Sequence, residues 1–121
     1  MNVQERRKFM RFDTSLDGSY EARGGEVRGK TLVQNLSREG MLVVVDARLQ
    51  EGSEIDLHMS VPGDNVPLFA CAKVAWGKEA DRAGERGFVA GVRFTKIDRY
   101  DKARLLDYVY TQWLKFVRKE V

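Results

Sequence analysis

Residues 54–61, Glu54-Ile55-Asp56-Leu57-His58-Met59-Ser60-Val61, alternate polar and apolar side chains without a break. A β-strand sends successive side chains to opposite faces, so one face of this segment is wet and the other dry. The same parity recurs in Leu68, Ala70, Ala72, Val74 and Trp76. It returns in Phe88, Ala90, Val92 and Phe94, with Gly91 and Arg93 on the other face. Residues 31–36 and 41–45 are β-branched and apolar enough for two further strands, connected through residues 37–40, and residues 19–23 make another. Gly24, Gly25 and Gly29 mark a tight turn.

After Thr95 the period changes from two to three and four. Ala103, Leu106, Tyr110, Trp113 and Val117 form an apolar stripe, widened by Leu105, Val109 and Phe116, which reads as a helix. Asp98 is placed to cap it, and Arg118 and Lys119 suit the negative end of its dipole. A stripe this wide has to be buried, across the sheet or against a partner chain. The expectation is a mainly β protein of about six antiparallel strands followed by one C-terminal α-helix, a single domain over residues 1–121. Within it, residues 1–12 form a basic N-terminal arm, 16–95 a β-barrel and 98–119 the helix.

With 43% hydrophobic and 32% charged residues the chain can bury a core and stay in solution. It has no apolar run long enough to span a bilayer and no secretory h-region, so a cytoplasmic address is expected. One cysteine, Cys71, and one histidine, His58, leave no internal disulfide and no set of ligands for zinc. The net charge is +3, and Arg6, Arg7, Lys8 and Arg11 against Glu5 already give 4 − 1 = +3. The remainder is therefore balanced, and a cationic arm on a neutral body points to a compact anionic ligand or partner.

Residues 24–31, GGEVRGKT, match the phosphate-loop pattern of nucleotide hydrolases. That loop works only where a helix begins at its end and directs its N-terminus at the phosphates. Here Leu32 and Val33 follow, then the turn-forming residues 35–40, leaving no length for a helix and a crossover. The string reads as a Gly-rich hairpin turn. His58 lies on the wet side of a strand with no serine or cysteine patterned beside it, and Asp98 and Asp101 suit capping and solvation, so no catalytic residues are expected.

Two short segments stand out together. Arg7-Lys8-Phe9-Met10-Arg11 is an RxxxR motif, and Asn35-Leu36-Ser37-Arg38-Glu39-Gly40 is an NxSxxG motif. In this order, ahead of a β-rich body and a terminal helix, the pair resembles the PilZ domain family, and the Gly91-Val92-Arg93-Phe94 strand is similar to that family's barrel strands. The resemblance implies a PilZ-type barrel with a flexible arm. It also implies a receptor for the second messenger cyclic di-GMP, without cofactor or metal, that changes the conformation of its arm on binding and signals to a partner protein.

The chemistry of the residues agrees with that ligand. The planar guanidinium forks of Arg7 and Arg11 can pair with guanine O6 and N7 or with phosphate oxygens. Asn35 can accept from guanine N1–H and N2–H, Ser37 adds a hydroxyl, and Gly40 permits positive φ and close backbone approach. By the resemblance, Arg6 implies a stacked pair of ligands. Trp76 reads as core by its register with Val74, or as a platform for guanine. The alternatives are a PilZ-fold interaction adaptor that does not bind the nucleotide, and a small barrel for single-stranded nucleic acid. The concentration of positive charge in the arm argues against the last. The oligomeric state, monomer or homodimer, is left open.

Overall fold

In the computed structural model, which describes residues 12–25, 27–37, 39–82 and 85–120, the alternating segments become six antiparallel strands. These are β1 (Phe12–Ala22), β2 (Arg28–Leu36), β3 (Gly40–Val45), β4 (Glu54–Met59), β5 (Leu68–Arg82) and β6 (Glu85–Ile97), followed by helix α1 (Arg99–Glu120). They pair in the order β1-β2-β3-β6-β5-β4, and β1 pairs with β4 to close the ring, with Gly18 opposite Met59 and Ala22 opposite Ile55. Inward positions supply the core: Leu16, Val33, Leu36, Val43, Ile55, Leu57, Met59 and Leu68 are all buried. Apolar burial at alternate positions of every strand is what drives such a ring to close.

The glycine-rich string at residues 24–31 is the β1–β2 hairpin. Gly24 and Gly25 take φ of 101° and 75°, values that favour glycine, and Ala22 N–H donates to Val27 O at 2.7 Å. Lys30 and Thr31 continue in β2, so no helix follows the glycines. β1 is longer than the expected strand at residues 19–23, because Thr14 and Gly18, on the parity of the buried Leu16 and Tyr20, are not apolar enough to reveal the alternation of its first half. β5 and β6 likewise run past the expected segments into a hairpin where Lys78 and Glu79 are exposed. A ribbon wet on both faces carries no apolar alternation to read.

Two features differ from the sequence reading. The β5–β6 register shifts between Val74 and Trp76, and this irregularity turns Trp76 out of the core to 40% exposure. The helix is rotated relative to its expected stripe. Leu105 and Val109, at 1% and 2% exposure, face the barrel with Tyr108 packed beside them, whereas Tyr110 is 53% and Trp113 37% exposed. The helix is apolar on two sides, and a single moment cannot say which side meets the sheet.

Asp98 Oδ1 accepts from Tyr100 N–H at 2.8 Å, capping α1. One turn later, Arg104 ties the helix to the β4–β5 loop. Its Nε and Nη2 donate to Asp64 Oδ2 at 3.1 and 2.6 Å, Nη1 donates to Asp101 Oδ1 at 3.1 Å, and Nη2 also reaches Val66 O. Among the described residues no helix is long and apolar enough to cross a membrane.

Two outcomes follow from this packing. Leu57→Ala, at a position with 0% exposure, should cost about 2–5 kcal/mol in urea unfolding, the cavity range for buried leucine. The Asp64 carboxyl is held below the usual carboxylate range, first by the Val66 N–H it accepts and then by Arg104. A lowered pKa means that this contact is intact above the ordinary range and is lost only as pH falls through the lowered value. In an NMR titration Asp64 should therefore titrate low in the native chain and move up towards the ordinary range in Arg104→Ala. An unchanged titration in that variant would remove Arg104 as a cause.

Candidate functional site

The β2–β3 loop is built around a hydroxyl. Ser37 Oγ accepts from the backbone N–H groups of Glu39 and Gly40, each at 3.3 Å, and Ser37 N–H donates to Gly40 O at 2.8 Å. The loop is then tied to β6 where Phe94 N–H donates to Glu39 O at 2.7 Å. Ser37 thus shapes the loop, and its hydroxyl is engaged with the backbone. Asn35, one bulge earlier on β2, is half-buried, and its side chain has no hydrogen-bond partner among the described residues.

Gly40 serves the site by close approach and not by φ, which is outside the positive range expected from the sequence. It sits opposite Arg93 in the β3–β6 ladder, and a Cβ there would stand 2.0 Å from Val92 O. Any side chain would wedge β3 from β6. Gly91 performs the matching task for the indole: a Cβ on it would lie 2.3 Å from Trp76 Nε1. The bulge that expels Trp76 and the missing side chain at position 91 together lay the ring across the outer surface of β6.

These pieces enclose a cleft of about 260 Å³, with Asn35 and Ser37 at one wall, Trp76 over Gly91 at another, and Glu39 and Arg93 at the rim. Its lining offers an amide, a carboxylate, a guanidinium and an aromatic face. That is a donor and acceptor set suited to a planar polar ring with both N–H donors and acceptor atoms on its edges. Among the described residues no three side chains are grouped to hold a metal ion.

Of the residues singled out in the sequence, the structure brings Asn35, Ser37, Gly40 and Trp76 to this one cleft. Arg6, Arg7 and Arg11 lie outside the described residues. The strand that follows them does have a defined start: Phe12 pairs with Leu36 and Asp13 with Asn35, so residue 12 stands beside the NxSxxG loop. Sequence reasoning missed Glu39 and Arg93. The signal for Arg93 was present in its parity with Gly91 on the wet face of β6. Glu39 gave none, being one of the unspecified positions of its motif.

The chain matches the family model for the PilZ domain over residues 5–111. No curated protein matches it by sequence. Among solved structures it is similar to the PilZ domain of Escherichia coli YcgR with c-di-GMP, with a TM-score of 0.72, 16% identity, and coverage of 95% of this chain and 97% of that one. It is similar to the K. pneumonia MrkH–c-di-GMP complex, with a TM-score of 0.76, 14% identity, and coverage of 94% and 55%. It is also similar to the Bacillus subtilis inhibitor of motility MotI/DgrA, with a TM-score of 0.72, 23% identity, and coverage of 91% and 52%. The chain spans about half the length of the last two. At these identities the likeness is one of fold, and the match to the family over most of the chain carries the assignment: this closed six-stranded barrel with its C-terminal helix belongs to the PilZ domain family.

Proposed function

We propose that the chain is a receptor for cyclic di-GMP and passes the binding event to a partner protein without catalysing a reaction. The observation that carries this reading is the cleft itself, where the amide of Asn35, without a hydrogen-bond partner among the described residues, and the outward indole of Trp76 converge beside the NxSxxG loop. Guanine presents N1–H and N2–H, for which Asn35 and the Glu39 carboxylate are acceptors, and a flat face on which Trp76 stacks. Two of the similar structures, those of YcgR and MrkH, hold c-di-GMP, which supports carrying the ligand over.

The described lining of the cleft carries a single guanidinium, Arg93, so the second phosphate and the remaining guanine edges of the ligand need further partners. Arg7 and Arg11 of the RxxxR motif are assigned that task, pairing with guanine O6 and N7 or with phosphate. Phe12, the first residue of β1, pairs with Leu36 beside the loop, which supports that assignment. Closure of the arm over the ligand is the conformational signal in this reading, and Arg6 is assigned to a second, stacked ligand.

Isothermal titration with cyclic di-GMP, with GTP as the control, tests the proposal. Arg7→Ala and Arg11→Ala should each lose about 1–3 kcal/mol, a tenfold change or more, if each makes a paired contact. Trp76→Ala should lose about 1–3 kcal/mol of base stacking. Two ligands per chain would support the role of Arg6, and one would remove it. No saturable binding by the folded chain would replace this reading with that of a nucleotide-free adaptor. Amide exchange over residues 1–12 that is the same with and without ligand would remove the closure.

A further inference from the structure

Beyond Arg93, β6 continues through Thr95, Lys96 and Ile97 to the start of α1, and this stretch floors a second, open trough of about 510 Å³. Arg93 and Lys96 are exposed, Lys102 reaches in from the first turn of α1, and Glu39 is the single carboxylate of the lining. Three cations and one anion give 3 − 1 = +2. No ion pair joins Arg93, Lys96 or Lys102 to a carboxylate among the described residues. Arg93 also stands directly opposite Lys73 in the β5–β6 ladder. Like charges facing each other destabilise a sheet, and Lys73 is offset on its other side by Glu54, opposite it in the β4–β5 ladder, which leaves Arg93 to the trough.

The trough is not a separate patch. It shares Glu39 and Arg93 with the cleft, so the two form one continuous depression along β6. Both open at the end of the barrel where β1 and β3 begin, β2 and β6 end, and α1 starts. A ligand seated on Asn35 and Trp76 that overhangs the cleft along β6 meets Arg93, then Lys96 and Lys102.

Resting on the reading of the cleft as the nucleotide site, we propose that Arg93, Lys96 and Lys102 form an annexe that binds a phosphodiester of the cyclic dinucleotide. Through Lys102 this brings the ligand into contact with α1. Concave cationic lining with a hydroxyl at Thr95 suits a phosphate, whose oxygens take several donors at once. Contact with the helix gives occupancy of the cleft a second outlet besides the arm.

The test is titration of cyclic di-GMP into Lys96→Gln, Lys102→Gln and the double variant at low and moderate salt, with circular dichroism to check folding. Lys78→Gln, on the far part of the β5–β6 hairpin, controls for loss of charge in general. Each annexe variant should weaken binding by up to about tenfold, the scale of a lost charge-assisted hydrogen bond. The double variant should also show a shallower salt dependence. A double variant that binds like the native chain overturns the annexe and leaves the cleft standing, and so does a Lys78→Gln loss as large as the others. No binding by the native chain overturns both.

Discussion

At the start of β3 the backbone of Gly40 lies so close to that of Val92 that there is no room for even a methyl group between them. The candidate site depends on this approach. It sets β3 against β6, and together with the Glu39–Phe94 hydrogen bond it holds the β2–β3 loop over the outer face of β6. Asn35 and Ser37 then face the strand on which Trp76 rests. If β3 were wedged away, the two walls would part although every side chain of the cleft was still present. The core gives the reason the approach is tolerated: Met41, Val43 and Val45 from β3 and Val92, Ala90 and Phe88 from β6 bury together just inside it.

How much of this was legible in the sequence depends on whether one strand's own parity carried the information. Residues 54–61 are wet on one side and dry on the other, and β4 emerges where the alternation placed it. The phosphate-loop look-alike was dismissed by what followed it, and it is a hairpin. Trp76 carried two readings, core and outward platform, and the sequence could not choose between them because a register shift between strands leaves no mark in the alternation of one strand. The helix was legible as a helix but not in its rotation, because residues 103, 106, 110 and 113 make as good a stripe as 105 and 109. Only the packing of Leu105 and Val109 on the barrel decides between them.

Charge shows the same limit. Counted along the chain, the body beyond the first dozen residues is neutral. Folding sorts that neutrality in space. Arg93 and Lys96 come from β6 and Lys102 from α1, and they gather at one barrel end, while carboxylates such as Asp64 and Asp101 are drawn to Arg104. A balanced count therefore coexists with a cationic trough, and it is the local field that a ligand meets.

The closed ring has seams that run out. β4 pairs with β5 only as far as Lys73, so among the described residues 75–82 of β5 have β6 alone as a strand neighbour, just as residues 12–16 of β1 have β2 alone. A strand edge is where another chain can add its own backbone, in specific docking or in aggregation. The β5 stretch carries Lys78 and Glu79, and Arg48 pairs with Glu79 beside it, the charged dressing that discourages strangers from pairing. Molecules that meet the middle of this barrel must therefore engage side chains, loops or the helix, because the backbone there is paired on both sides, whereas along the β5–β6 hairpin it is not.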